Sequence, residues 1–126
     1  MKLLLISVFL AMSAPAAESL EEFRWKKRLL VVTGDGATAS KELTTAKQGL
    51  AERDVKVFFL NGPGMEEALA KSLRERLKVR AGVAEVLLLS KDGHTTLRWR
   101  VDEFNVAALF AKIDAMPMRK AEMRGD

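Results

Sequence analysis

The residues best suited to binding a small ligand form a glycine-containing loop, Gly34-Asp35-Gly36-Ala37-Thr38-Ala39-Ser40. The loop follows an apolar run and precedes a helical pattern, so its backbone would lie at a helix N-terminus, where free amide groups attract anions. Asp35 would repel an anion, and the lysine of a P-loop is missing. The loop therefore predicts either a plain strand-to-helix turn or a site for a small anion or metabolite. The residues of that alternative site are Gly34, Asp35, Gly36, Thr38 and Ser40.

Other side chains that commonly carry chemistry are few. The chain has no cysteine and one histidine, His94, beside an Asp92-Gly93 turn. Thiolate chemistry is excluded, and no spacing indicates a catalytic triad around His94. A zinc site would have to rely on carboxylates. No catalytic constellation is recognised and no cofactor is predicted, so the interpretation leans away from an enzyme.

Three methionines near the C-terminus, Met116, Met118 and Met123, suggest a different chemistry. Thioether sulfur is a soft ligand that suits copper(I). Methionine also fills irregular gaps in a core, and no histidine or cysteine lies nearby in the sequence. Packing is the favoured interpretation, with copper(I) handling through Met116 and Met118 as a third alternative function.

The sequence contains three basic clusters: Arg24-Trp25-Lys26-Lys27-Arg28, Arg98-Trp99-Arg100 and Arg119-Lys120. Such clusters have two interpretations, a solvated face and a docking surface. A solvated face is the ordinary interpretation. The functional one is contact with an unknown protein or an anionic envelope component, since arginine and tryptophan are favoured at interface centres. Charge and expected exposure single out Arg98, Arg100 and Arg119 as the contact residues.

The elements that would position these residues alternate between strands and helices. The predicted strands are Leu29–Thr33, Val55–Leu60, Val83–Ser90 and Thr95–Val101. The predicted helices are Ala39–Arg53, Met65–Leu77 and a third carrying Val106, Leu109, Phe110 and Ile113, with Asp102 as its N-cap and Pro117 as its end. Strands one and three are continuous apolar runs, as expected when both faces of a sheet are covered. The fourth alternates and suits a sheet edge that could also pair with another chain.

The element order, β-α-β-α-β-β-α, predicts an α/β fold with strands one and three at the centre of the sheet. A right-handed crossover makes strands one and two parallel. This resembles the thioredoxin fold: a three-layer α/β/α sandwich around a mixed four-stranded sheet. The cysteine that thioredoxins carry at the first helix is missing, as is their proline before the third strand, where Gly82-Val83-Ala84-Glu85 stands. We therefore expect the fold without its redox chemistry.

The N-terminus has the features of an export signal. Lys2 precedes an apolar run, Leu3–Met12, and Ala14-Pro15-Ala16 offers a cleavage site after residue 16. The prediction is a signal peptide, 1–16, and a single domain, 17–126, that is periplasmic or secreted and has no membrane span after cleavage. A net charge of +4, from 21 basic and 17 acidic residues, is too small to indicate nucleic-acid binding.

Three stretches carry a closer likeness: Leu20–Leu30, Lys91-Asp92-Gly93 and Ile113–Met123. With them the chain resembles domain-of-unknown-function family 4174 over about residues 20 to 124. The resemblance implies a thioredoxin-like or peroxiredoxin-like exported domain and carries over no activity and no catalytic residue. The leading hypothesis is a cysteine-free binding or interaction module of the cell envelope, with the loop site and copper handling as alternatives.

Overall fold

The computed structural model describes residues 20–125, apart from the side chain of Thr38. In chain order its elements are α1 (Leu20–Phe23), β1 (Arg28–Val32), α2 (Ala37–Thr45), α3 (Lys47–Glu52), β2 (Val55–Phe59), α4 (Glu67–Leu77), β3 (Glu85–Leu89), β4 (Thr95–Arg100), a 3-10 turn (Val101–Glu103), α5 (Val106–Asp114) and α6 (Pro117–Arg124). None of these helices is long and apolar enough to cross a membrane. The predicted signal peptide, 1–16, lies outside the described residues.

The four strands form one sheet in the order β2-β1-β3-β4. β1 runs parallel to β2, with Leu30 opposite Val57, and antiparallel to β3, with Leu30 opposite Leu88. β3 and β4 form an antiparallel hairpin, and Gly93 in its turn has a φ of 90°. The predicted mixed sheet with strands one and three at its centre is confirmed.

Both faces of the sheet are covered, which explains the continuous apolar runs. On one face the side chains of Leu29 and Val31 pack against α4, and Leu20 and Phe23 of α1 border this cluster. On the other face Leu30 packs against residues of α2, α3 and α5. The arrangement is the predicted three-layer α/β/α sandwich.

The first long helix is divided into α2 and α3 at Ala46, whose φ and ψ are −92° and 14°. A continuous helix was expected here. The hydroxyls of Thr44 and Thr45 donate to the carbonyl oxygens of Ser40 and Lys41, at 2.8 and 3.1 Å. Such back-bonding bends helices, and it accompanies the break.

The predicted N-cap of α5 is wrong, whereas the predicted end of this helix before Pro117 is confirmed. Asn105 is the N-cap of α5, and its Oδ1 accepts a hydrogen bond from the amide of Ala108 at 2.7 Å. Asp102, the predicted cap, lies in the preceding 3-10 turn. Pro117 also begins a further helix, α6, which was not expected from the sequence, because the first helical position needs no amide donor and favours the fixed φ of proline.

Candidate functional site

A groove runs along the outer side of β2, between this strand and helices α2 and α3. Its wider part, with a volume of about 670 Å³, lies where β1 and β2 end. A second part of about 470 Å³ continues along the strand. The two parts share Ser40, Val57 and Phe59, so they form one continuous groove. Apart from Lys47 and Asp35, the side chains that line it are uncharged.

Two glycines let the loop at the wider part of this groove lie close against the sheet. A Cβ atom on Gly36 would lie 2.5 Å from Cγ1 of Val32, so a larger residue would push the loop away from the strand. Gly34 has a φ of 67°, and a Cβ there would lie 3.0 Å from the Cβ of Ala84. The predicted glycine loop is thus pressed against the sheet, and Ser40 lies one helical turn further along.

Asp35 has a local structural role in this loop. Its Oδ1 accepts a hydrogen bond from the amide of Ala37, the first residue of α2, at 3.2 Å. A carboxylate therefore occupies part of the helix N-terminus that a bound anion would use. The structure brings Gly34, Asp35, Gly36 and Ser40 together along the groove.

A third depression, of about 420 Å³, lies on the other side of Gly34 and Asp35. Arg74 and Arg80 line it. Nη2 of Arg74 donates to Oδ1 of Asn61, which lines both depressions, at 2.8 Å. The guanidinium of Arg74 thus places positive charge near the glycine loop, whereas that of Arg80 is paired with the carboxylate of Glu85.

The outer edge of β2 is open within residues 20–125, because no strand lies on that side. The carbonyl of Asp54, just before the strand, and the amide of Leu60, just after it, both bond to β1, at 2.8 and 2.9 Å. Backbone groups of successive strand residues point to alternate sides, so even-numbered residues of β2 face β1. The amide and carbonyl groups of Val55 and Val57 consequently point outward.

Arg98, a predicted contact residue, is used within the fold. Its Nη1 donates to Oε1 of Glu85 at 2.7 Å, and its Nη2 donates to the carbonyl of Leu77 at 2.6 Å. Glu85 is 1% exposed, and Arg80 binds its other oxygen. Burial alone would raise the pKa of Glu85, but the hydrogen bonds from Arg80 and Arg98 lower it. Arg98 therefore stabilises a buried carboxylate.

Arg100 is the predicted contact residue that remains most accessible. Its side chain is 69% exposed and lies 3.6 Å from Asp102, itself 74% exposed. Leu97 and Trp99 on the same strand are partly buried against the core, as the alternation predicted. Arg100 is available for contacts, whereas its neighbour Arg98 is committed to Glu85.

The expected exposure of Arg119 is wrong, because its side chain is only 13% exposed. Its Nε donates to Oδ1 of Asp114 at 3.2 Å, and its Nη1 donates to the carbonyl of Glu52 at 3.1 Å. Arg53 binds the same carboxylate through two nitrogens, each at 3.0 Å. Hydrogen bonds from Arg53, and also those from Arg119, lower the pKa of Asp114. Burial acts in the opposite direction but does not outweigh them. Arg119 fastens α6 to α3 and α5.

Arg28 also departs from the predicted solvated cluster, since its side chain is 1% exposed. Its two terminal nitrogens donate to Glu122 at 3.2 and 3.1 Å, and Nζ of Lys91 donates to the same carboxylate at 2.7 Å. Burial would raise the pKa of Glu122, but the hydrogen bonds from Arg28 and Lys91 lower it. These charges hold α6, which has no buried residue of its own, against the end of the sheet.

The remaining predicted residues lie apart from the groove. His94 is 77% exposed, with Nδ1 3.2 Å from Oδ1 of Asp92. Met116 packs against the core, whereas Met118 is 39% exposed. Across residues 20–125, no group of three or more His, Cys, Asp and Glu side chains is placed to hold a metal ion. Copper(I) handling stays an untested alternative.

Sequence reasoning placed β2 at the outside of the sheet but did not identify the groove beside it. The available signal was its alternation, with Val55, Val57 and Phe59 on one side and Lys56 between them. The width of the groove depends on how closely α2 approaches the strand, which no local pattern encodes.

Solved structures show the same fold. Thioredoxin peroxidase I of Plasmodium yoelii is 17% identical and similar over 85% of this chain and 81% of that chain, with a TM-score of 0.57. Reduced 2-Cys peroxiredoxin of Plasmodium vivax is also 17% identical, over 85% and 73% of the two chains, with a TM-score of 0.57. At this identity the likeness concerns the fold alone, and it confirms the predicted thioredoxin-like architecture.

No curated protein matches the chain. The family described as Domain of unknown function (DUF4174) matches residues 19–122, which contain the whole sheet and most of α6. The resemblance found in the terminal stretches and the hairpin turn is confirmed: the chain belongs to the domain-of-unknown-function family DUF4174.

Proposed function

We propose that this chain is an exported, non-redox binding module that takes an extended peptide as an additional strand beside β2. The observation that carries the proposal is the open edge of β2 with an apolar groove alongside it. An unpaired strand edge supplies main-chain hydrogen bonds to a peptide, and neighbouring pockets for alternate side chains supply specificity.

The chemistry of the edge limits the peptide that it fits. An added strand would bond to the outward amide and carbonyl groups of Val55 and Val57. Its side chains on one face would enter the groove that Val57 and Phe59 line, so every second residue should be apolar. Lys47 lines the groove and Lys56 is exposed on β2, which favours an acidic residue on the peptide's other face or at its end.

Export completes the proposal. Lys2, the apolar run Leu3–Met12 and the Ala14-Pro15-Ala16 site support a periplasmic or secreted location. The partners would then be exposed or extended segments of other exported proteins. Residues 1–20 fused to an alkaline phosphatase that is active only outside the cytoplasm should give activity. An inactive fusion that accumulates inside the cell would contradict export but would leave the peptide-binding proposal unaffected.

The binding proposal is tested by selecting peptides from a random displayed library on the chain that begins at Ala17. We expect enriched peptides with apolar residues at alternate positions, and loss of their binding in Ser40→Trp. Ser40 is partly buried, lines both parts of the groove and makes no side-chain hydrogen bond within residues 20–125, so the indole would fill the groove without disturbing the core.

Thr45→Trp is the matched control. Thr45 lies on the same helix and also carries a hydroxyl, but it lines a separate depression with Lys41 and Val106. Selected peptides should bind Thr45→Trp as tightly as the unsubstituted chain. No enrichment, or enriched peptides that bind Ser40→Trp equally well, would contradict the proposed groove.

A small anion is the second candidate, favoured by Arg74 beside the glycine loop. Inorganic phosphate or a small dicarboxylate should then raise the melting temperature, since a ligand that binds the folded state stabilises it. Arg74→Gln should remove this rise, and Lys112→Gln, an exposed lysine on α5, should leave it unchanged. A melting temperature that no tested anion raises would remove this candidate.

A further inference from the structure

Trp25 is the most exposed large apolar side chain within residues 20–125, with 59% of its surface accessible. The chain's other tryptophan, Trp99, packs edge-to-face against Phe104, with ring centroids 5.3 Å apart. Leaving an indole in water is unfavourable unless a partner covers it. The groove lies at the other end of β1, so a peptide bound there would not cover Trp25 and does not explain its exposure.

The backbone of Trp25 is held in a conformation that disfavours a bulky residue. Its φ is 70°, in the left-handed region that suits glycine. The amide of Trp25 donates to the carbonyl of Lys91 at 2.6 Å, and the amides of Lys26 and Lys27 donate to the carbonyl of Phe23 at 2.9 and 2.8 Å. Glycine is the usual residue just after a helix, and it would fit here without strain. The backbone thus does not require the indole.

The segment around Trp25 is basic. The guanidinium carbon of Arg24 lies 5.7 Å from the indole centroid. Lys26 and Lys27 are exposed and form no ion pair with the described part of the chain. Arg24 approaches Glu21 only at 3.9 Å, between two exposed side chains. Two lysines and an arginine are thus available beside the ring.

Lys91 joins this segment to α6. Its carbonyl accepts the bond from Trp25, while its Nζ donates to Oε2 of Glu122 at 2.7 Å. Met123, next to Glu122, is 53% exposed, and Met118 on the same helix is 39% exposed. The large apolar side chains that are exposed in residues 20–125 therefore all belong to the two segments that meet at Lys91.

We propose that this face docks onto the surface of an anionic phospholipid bilayer, with the indole of Trp25 at the level of the headgroups and Lys26 and Lys27 at the lipid phosphates. Tryptophan is enriched at membrane interfaces because its ring is amphipathic. Juxtamembrane lysines are attracted to anionic lipid, and this attraction adds to the gain from burying an apolar side chain at the interface. Trp25 precedes β1 and the wide part of the groove follows it, so both surfaces can be occupied at once.

The test uses the chain from Ala17, which contains every described helix and strand, so that the apolar leader cannot insert by itself. In a Trp99→Phe background the fluorescence reports Trp25 alone. Adding vesicles of phosphatidylglycerol mixed with phosphatidylcholine should shift its emission to shorter wavelength and sediment the protein. Vesicles of phosphatidylcholine alone should do neither, and salt should weaken the binding.

Variants separate docking from a structural role. Trp25→Gly should lower vesicle affinity at least about tenfold through the lost indole area. Because glycine relieves the backbone, the melting temperature should stay the same or rise. Lys26→Gln and Lys27→Gln should each lower affinity about fivefold. Lys112→Gln, an exposed lysine on α5, should leave it unchanged.

Three results would overturn the proposal. Equal binding to both kinds of vesicle, or to neither, would remove the anionic surface. A lower melting temperature in Trp25→Gly with unchanged vesicle binding would make the indole a structural residue. Binding to soluble polyglutamate without binding to vesicles would assign the face to an acidic protein instead.

Discussion

The two edges of the sheet use their residues in opposite ways. At β4, Arg98 reaches the buried Glu85 at 2.7 Å, so its charge is satisfied within the fold. At β2, Val55 and Val57 point backbone groups outward and line an open groove with apolar side chains. An arginine on an edge strand can therefore belong to the interior of the fold, while an apolar strand edge can be the available binding surface.

The largest contrast we expect is between proline at two adjacent positions of β2. Phe58→Pro should destabilise the fold by more than about 4 kcal/mol, because it removes a buried ring and an amide that faces β1. Val57→Pro should cost about 1–2 kcal/mol, since an edge strand tolerates proline where the amide faces outward. Urea unfolding measures both. Equal destabilisation would mean that the edge of β2 is not open.

The β4 edge should respond to loss of its internal charge pair. Glu85→Ala leaves Arg98 and Arg80 facing a site without a carboxylate, and should cost about 3 kcal/mol. Asp102→Ala removes the exposed partner of Arg100 and should stay within about 0.5 kcal/mol. A similar free energy of unfolding in the two variants would show that the pair at Glu85 is no more than a surface contact.

Part of this contrast was accessible from the sequence. The apolar runs around Leu30 and Leu88 predicted the centre of the sheet, because two covered faces leave no polar positions. Arg28 shows the limit: it follows two exposed lysines, yet it is buried with the carbonyl of Arg53 and the carboxylate of Glu122 as its partners, both far along the chain. Likewise, the greater apolarity of strands one and three predicted that β2 lies outside them, but it did not predict the distance to α2 that opens the groove.

Acid should reduce the stability that the ion pairs of Glu85, Asp114 and Glu122 give the fold, and it should affect the groove less. The pKa values of Glu85, Asp114 and Glu122 are lowered in the folded state. Their contribution is therefore present above the unfolded pKa and is lost as pH falls through the folded value, below the ordinary 4.5 of glutamate and 3.8 of aspartate. The loss should be smaller than in Glu85→Ala, because protonation leaves hydrogen-bonding oxygens.

The pH dependence is measured by urea unfolding at a series of pH values. A variant with Glu85→Gln, Asp114→Asn and Glu122→Gln should show a shallower fall in stability below pH 4.5 than the unsubstituted chain. An identical slope in the two proteins would mean that other carboxylates cause the acid loss.

Replacing single glycines by alanine should have smaller effects, and it tests whether the glycine loop contributes to the groove. Gly36→Ala places a Cβ 2.5 Å from a buried side chain and should cost about 2 kcal/mol. Gly82→Ala meets no atom within 4 Å but has a φ of 76°, so it should cost about 1 kcal/mol from backbone strain alone. Only Gly36→Ala should also weaken a selected peptide. If the two variants bound the peptide equally well, the glycine loop would not be part of the peptide-binding groove.

Amide hydrogen exchange, followed by NMR with and without a selected peptide, measures at single residues whether the edge of β2 is open and whether a peptide pairs with it. In the free protein we predict fast exchange at Val55 and Val57 and slow exchange at Phe58, whose amide faces β1. Bound peptide should slow exchange at Val55 and Val57 and leave β4 unchanged. Protection that appears on β4, or slow exchange at Val57 before any peptide is added, would contradict the account.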